Sequence, residues 1–224
     1  MNSQDVTTGG DTAPAGPPEY TPPVDNGPLS HVHEHPEIEA ADIDRIGRLV
    51  PMPARILDVG AGRGGFVLLA RERGMAAYGL DLEPAAAAIW RRRGAPCVLA
   101  DAFRPPFRDG GFDVVRLKEI IEHVEDPRAL VAAARALLRP DGCIIAHVPS
   151  SYSQLYPVGN FWDDYTHVRP FSRLGLRRLM EDSGMTVVSI DGYMAGRNAV
   201  ERALGKVIAT VLPHSYRVVA RKAP

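Results

Sequence analysis

Arg55-Ile56-Leu57-Asp58-Val59-Gly60-Ala61-Gly62-Arg63-Gly64-Gly65 is a short apolar run that breaks into closely spaced glycines. An apolar segment of this length bounded by glycine reads as a buried strand entering a tight loop. Glycine lets the backbone turn sharply and approach a ligand with no Cβ in the way. Dinucleotide-binding folds place such a loop at the same point, but with the spacing G-x-G-x-x-G. Here the glycines fall at 60, 62 and 64, and Gly65 is one residue late for that pattern. An acidic residue, Asp58, also stands two positions before the first glycine. A carboxylate so near the loop would repel a pyrophosphate and suits a ligand with a cationic end, such as an amino acid.

The segments on either side extend the reading. Upstream, Ile38, Ile43, Ile46, Leu49 and Val50 fall near helical spacing, and Pro51-Met52-Pro53 stops that helix. Downstream, a helix over 64–73 closes at Gly74, and a second strand spans Ala76 to Leu80. A helix runs from Pro84 to Arg93, with proline suitably placed at its start, and a third strand runs from Cys97 to Ala100. The alternation continues with a strand at Phe112 to Leu117, a helix at Pro127 to Leu138, a turn at Arg139-Pro140-Asp141-Gly142 and a strand at Cys143 to Val148. After a long connection over 149–170 come a helix at 172–183 with Ser172 as its N-cap, a strand at Met185 to Ile190, a helix near 197–211 and a last strand at Tyr216 to Arg221. Strands alternating with helices in this way predict a doubly wound α/β fold: a mostly parallel seven-stranded sheet, covered on both faces, in a single domain. Ligands of such sheets bind at the carboxyl ends of the strands.

Composition sets the outer limits. With 224 residues there is room for one domain and a tail, and 45% hydrophobic against 24% charged residues suffices for a sizeable core. Residues 1–28 are rich in proline and glycine and hold no Lys or Arg, so they read as a disordered tail ahead of a domain over 29–224. The net charge of −1 offers no overall basic field for nucleic acid or an anionic membrane, and no apolar run reaches the length of a membrane span. Two cysteines, Cys97 and Cys143, are too few for a disulfide scaffold. The expectation is a cytoplasmic protein with free thiols.

The residues around the loop resemble the class I S-adenosylmethionine-dependent methyltransferases, whose first motif is acidic-x-Gly-x-Gly-x-Gly. The resemblance spans roughly residues 37–221. Gly79-Leu80-Asp81 ends the second strand where the family keeps an acidic residue for the ribose hydroxyls, and one carboxylate can accept two bonds from a vicinal diol. Ala100-Asp101-Ala102 matches the position that accepts a bond from the adenine amino group. Glu122-His123-Val124-Glu125-Asp126-Pro127 matches a stretch of the ubiquinone-type and small-molecule branch, and Leu138-Arg139-Pro140-Asp141-Gly142 matches the turn before the fifth strand. The resemblance implies a Rossmann-like fold and S-adenosylmethionine as cofactor, with S-adenosylhomocysteine as product. It places Asp58, Gly60, Gly62, Gly64, Asp81, Leu82, Asp101, Ala102 and Lys118 around that cofactor. Plainer readings stand beside these: Asp58 and Asp81 as helix caps, Asp101 as an Asx-turn residue, Glu122 as a solvated helix position.

Methyl transfer from a sulfonium needs alignment of the acceptor in a dry pocket, and a hydroxyl acceptor gains from a general base. Histidine suits that task at neutral pH. The candidates are His123, His147 and His167. His167 is favoured, because Phe161-Trp162-Asp163-Asp164-Tyr165-Thr166-His167-Val168-Arg169-Pro170-Phe171 is chemically dense and, in the family, this connection overlies the substrate. Asp163 or Asp164 would orient its ring. In the alternative, Trp162, Tyr165 and Phe171 pack the loop down and His167 bonds to the backbone. His147 reads as structural. His31-Val32-His33-Glu34-His35 borders the tail without a second ligand cluster, so it reads as a solvated or lid-forming segment and no metal is expected.

The substrate expectation is O-methylation of a small molecule such as a sugar, quinone or secondary metabolite. Leu117-Lys118-Glu119-Ile120 lacks the Asn/Asp-Pro-Pro-aromatic motif of adenine and glutamine-amide enzymes, and nothing forms a nucleic-acid-binding stripe. The alternatives are N-methylation, a protein acceptor, or a non-catalytic cofactor-binding protein. The partners expected are a small-molecule acceptor but neither nucleic acid nor membrane, with a homodimer left open.

Overall fold

β1 (Arg55–Val59) is an interior strand, third from one edge, of a seven-stranded sheet in the computed structural model. The structure describes residues 35–157, 159–194, 205 and 207–223. Before β1 comes α1 (Pro36–Leu49). After it the chain alternates through α2 (Gly65–Glu72), β2 (Ala76–Asp81), α3 (Pro84–Arg93), β3 (Cys97–Leu99), β4 (Phe112–Lys118) and α4 (Pro127–Leu137). β5 (Leu138–Pro149), α5 (Arg173–Asp182), β6 (Met185–Tyr193) and β7 (Ser215–Lys222) complete it, with three-residue to five-residue 3₁₀ turns at Ile121–His123, Ser151–Leu155 and Phe161–Asp163. The strand order is β3-β2-β1-β4-β5-β7-β6. All neighbours pair in parallel except β7, which is antiparallel to both β5 and β6.

The doubly wound sheet expected from the alternation is therefore present, and its period-2 side chains sort the core. Ile56, Val114, Ile145 and Val219 face α1 and α2, where they meet Ile43, Ile46, Phe66 and Val67. Leu57, Val115, Ile144 and Val218 face the other way, into Leu130, Val131, Leu176 and Met180 of α4 and α5. Both faces are covered, which is why the central strands read as continuous apolar runs. The chain leaves β1 toward β2 on one side and returns to β4 on the other. The loops at the carboxyl ends of β1 and β4 part there and open a crevice.

Helix ends follow the chemistry of their caps. Ser172 accepts a bond from the Gly175 backbone as expected, and Glu83 and Asp126 cap α3 and α4 in the same manner. One strand departs from expectation. β5 begins at Leu138 and takes in the turn expected at 139–142, because Leu138 already pairs with Phe112 before Cys143 pairs with Val114. The additional residues form a bulge, with Asp141 at φ 64° and Arg139 bonded to the Asp113 carboxylate at 2.8 Å. Fully buried Leu138 holds its place in the ladder and the bulge absorbs the excess.

The expected tail over 1–28, and His31 to Glu34, lie outside the described residues, as does most of the helix expected over 197–211. Gly205, Val207 and Ile208 are helical. Among the described residues no helix is long and apolar enough to cross a membrane. Burial pushes the Cys97 thiol up to about 12 and the Cys143 thiol to about 11, so both free cysteines stay protonated and unreactive.

Candidate active site

The loop after β1 takes its shape from its glycines. Gly60, Gly62 and Gly64 all have positive φ, at 77°, 50° and 79°. A Cβ on Gly60 would also stand 3.3 Å from the Ile120 side chain. The Gly60 and Ala61 amides both donate to the Leu80 carbonyl at 2.9 Å, and the Trp90 indole donates to the Gly62 carbonyl at 2.8 Å. The loop is thereby stitched to the end of β2 and to α3, and it forms one wall of a cavity of about 620 Å³. That volume falls within the range of roughly 300–1,000 Å³ usual for small-molecule sites.

The acidic positions expected to meet a cofactor are brought to this cavity. Asp81 ends β2 with Oδ2 accepting from the Gly62 amide at 2.8 Å and Oδ1 accepting from Glu83 at 3.0 Å. Those bonds fix the carboxylate and leave each oxygen further acceptor capacity. Asp101 accepts from the Phe103 amide through Oδ1 at 2.9 Å, so it is the Asx-turn residue of the plainer reading and a cavity-lining carboxylate at once. Leu82, 68% exposed, and Phe103, 38% exposed, add apolar faces to the same cavity with Ala102, and Lys118 lines it too. Gly64 does not line the cavity. Its hydrogen position faces Ala95 and Trp90, where a Cβ would sit at 3.1 and 3.2 Å, so its task is packing.

Asp58 departs from expectation in one respect. Its carboxylate is answered from within the protein: Arg116 Nη1 donates to Oδ1 at 2.9 Å, and the pair is almost fully buried. Arg116 Nε also donates to Asp42 of α1 at 2.9 Å, and the guanidinium stacks over Phe66 with its carbon 4.1 Å from the ring centroid. Asp42 further meets His147 Nε2 at 2.9 Å, and His147 Nδ1 bonds to the Tyr193 hydroxyl. His147 is thus structural, as expected. Burial raises the Asp58 pKa despite Arg116. At Asp42 burial acts in the same direction, but His147 and Arg116 outweigh it and hold the carboxyl well below its usual range. Burial likewise lowers the His147 pKa. Arg116 Nη2 is buried without a hydrogen-bond partner, although the residue lines the cavity beside Asp58. An unused donor next to a carboxylate fits the charged end of an amino acid.

The far side of the cavity holds His123, Asp164, Thr166 and His167. His167 Nδ1 lies 2.6 Å from the Phe161 carbonyl, its ring stacks on Phe161 with centroids 4.4 Å apart, and its Nε2 is 4.0 Å from Asp164 Oδ2. The backbone bond and the carboxylate neighbour, read from sequence as alternatives, occur together. Phe161 and Phe171 are the aromatics that pack this connection down, whereas Trp162 and Tyr165 are 58% and 96% exposed. His123 Nδ1 lies 2.9 Å from the Thr166 hydroxyl, which donates to Asp164 Oδ1 at 2.6 Å. Burial and the neighbouring His167 lower the His123 pKa, so the ring is neutral at pH 7. Glu122 is not a solvated helix position but fully buried: the 3₁₀ turn carries it inward while its carbonyl accepts from the Val168 amide. Its pKa is raised well above the usual range by burial and by the Glu119 carboxylate.

A family model described as "Methyltransferase domain" matches residues 32–190. The ubiquinone biosynthesis O-methyltransferase of Xanthomonas campestris pv. campestris (strain B100) is 30% identical over 128 residues, 53% of this chain and 52% of that one. The chain spans about half the length of the curated relatives it matches first. Among solved structures, a SAM-dependent methyltransferase from Archaeoglobus fulgidus superposes with a TM-score of 0.65 at 23% identity, covering 83% of this chain and 94% of the other. Burkholderia thailandensis 1,6-didemethyltoxoflavin-N1-methyltransferase, solved with its substrate and S-adenosylhomocysteine, superposes at 0.59 with 22% identity over 84% and 77% of the two chains. With the loop after β1, the acidic ends of β2 and β3 and the strand order in agreement with these matches, the chain belongs to the class I S-adenosylmethionine-dependent methyltransferases.

Proposed function

We propose that this protein transfers the methyl group of S-adenosylmethionine to a hydroxyl of a small molecule and releases S-adenosylhomocysteine. The observation that carries the reading is the continuity of one cavity from the glycine loop and the carboxylates of Asp81 and Asp101 to His123 and His167. The donor half fits the cofactor. Asp81 offers acceptor capacity for a diol, Leu82 and Phe103 offer faces for a purine, Asp101 accepts from an exocyclic amine, and Asp58 with Arg116 Nη2 receives an amino-acid end. When bound there, the sulfonium supplies an electrophilic methyl group whose charge is lost on transfer.

The protein's own residues then deal with the acceptor. The Phe161 carbonyl can only accept, so His167 donates to it through Nδ1 and Nε2 is the ring nitrogen left for the acceptor. Thr166 gives its proton to Asp164, so His123 also holds its proton on Nδ1 and keeps Nε2 bare. Two imidazoles anchored through Nδ1 can hold an acceptor hydroxyl, and a ring with a free Nε2 can draw on its proton. The similarity to a ubiquinone biosynthesis O-methyltransferase supports oxygen as the acceptor atom.

The test is transfer of a labelled methyl group from S-adenosylmethionine to a panel of phenolic, sugar and amine acceptors. Hydroxyl acceptors should be labelled, and His167→Ala should lower kcat by roughly 10²-fold while S-adenosylhomocysteine affinity stays within about twofold. Labelling of amines alone would overturn the choice of acceptor.

A further inference from the structure

Glu122, His123 and His167 each offer one ligand atom within 4.8 Å of the other two. The Glu122 carboxylate is fully buried, and neither oxygen has a hydrogen-bond partner in the protein. A buried carboxylate that no donor in the protein meets is costly to keep there. The two histidine rings lie beside it, with centroids 4.6 Å apart. Both spend their Nδ1 proton elsewhere, on the Phe161 carbonyl and on the Thr166 hydroxyl. A buried carboxylate and two imidazoles whose Nδ1 atoms are already engaged thus gather in one place. That is also how ligating histidines are usually held: the second ring nitrogen donates to a carbonyl, or to a hydroxyl backed by a carboxylate, and fixes the ring.

We infer that Glu122, His123 and His167 bind a divalent transition-metal ion at the acceptor end of the cavity. Two imidazoles and one carboxylate suit zinc and its first-row neighbours, whereas magnesium and calcium prefer sites made of oxygen. Three protein ligands leave a coordination position open, and His123 and His167 line the cavity, so the open side belongs to the acceptor. With the ion bound, the imidazoles act as ligands in place of bases: the ion would lower the pKa of a bound hydroxyl, whose proton passes to water. The oxygen then forms its bond to the methyl carbon as the carbon–sulfur bond breaks, and no oxidant or reductant is needed. Only this last consequence rests on the methyl-transfer reading; the ion site stands on its own geometry.

Cobalt(II) added to the full-length protein and followed by its visible absorption bands tests the site. His31, His33 and His35 are rival ligands, so a variant with all three changed to alanine is titrated alongside. One equivalent should bind to wild type and to that triple variant. Glu122→Gln, His123→Ala and His167→Ala, each checked for folding by circular dichroism, should each lose about tenfold or more in affinity. Retention of wild-type affinity in Glu122→Gln and His167→Ala would overturn the inference. So would loss of the ion in the triple variant alone, or no binding at about 0.1 mM cobalt by a wild type that binds S-adenosylhomocysteine. Cobalt held through Glu122 by a protein that binds no S-adenosylhomocysteine would leave the ion site standing and remove the methyltransferase reading.

Discussion

Arg116 sits midway along β4 with its side chain 3% exposed, and two carboxylates depend on it. Replacement by methionine fills the space but leaves Asp58 buried without its guanidinium and Asp42 with only His147 and the more distant Arg217, at 3.6 Å. Arg116→Met should therefore lose about 3–5 kcal/mol, read from urea unfolding with an unchanged m-value. A variant as stable as wild type would show that the carboxylates do not need it. Glu122 is expected to behave in the opposite sense. Its folded pKa lies above the unfolded value near 4.3, so its ionisation removes stability as pH rises from about 4.3 through the folded pKa. Without added metal, Glu122→Gln should gain on wild type from pH 5 to pH 8 in parallel urea titrations. A pH-independent difference would contradict the burial argument. The sequence held a clue to the first cluster, since Arg116 interrupts an apolar strand and Asp42 lies on the same helical stripe as Ile38 and Ile46. The partners, however, stand 58, 74 and 105 residues apart, and nothing local to either segment pairs them. Glu122 had no such clue, because a three-residue turn is too short to show a periodicity.

β2 shows how an element positions the site it does not itself form. Gly79 has ordinary strand dihedrals, yet a Cβ there would come within 2.6 Å of Cys97 Sγ and 2.8 Å of Ala61 Cβ. β2 can therefore lie tight beneath the glycine loop only while residue 79 lacks a side chain. Gly79→Ala should lose about 1–3 kcal/mol in urea unfolding and weaken cofactor affinity together, because Ala61 moves with the loop. Stability lost without any change in affinity would separate the loop from the strand beneath it. Most elements were legible at this scale. Pro84, Pro127, Ser172 and the glycines closing α2 and α3 mark helix ends by local chemistry, and the strands are short apolar runs. β5 was not, since the bulge at 139–142 has the composition of a turn and only its pairing with β4 makes it strand.

At the scale of the molecule, the parallel order β3-β2-β1-β4-β5 sends the ends of β1, β2, β3 and β4 to one edge, and the cavity lies there. That topology follows from the alternation of strands and helices together with the right-handedness of their crossovers. The donor side of the site was legible for the same reason, since motif residues at strand ends are placed by the fold itself. The acceptor side depends on how the 149–170 connection folds back onto the turn at 121–123, which the contact from Val168 to Glu122 fixes and no local pattern foretells. Methyl transfer as proposed requires that this edge bind S-adenosylmethionine through the Asp81 carboxylate. Calorimetric titration of wild type and Asp81→Asn with S-adenosylhomocysteine, and of wild type with NAD, tests it directly. Wild type should bind S-adenosylhomocysteine with affinity on the order of micromolar and NAD not at all, and Asp81→Asn should bind at least about tenfold more weakly (about 1.4 kcal/mol). A folded wild type that does not bind S-adenosylhomocysteine, or binds it as tightly without the Asp81 carboxylate, would contradict that requirement.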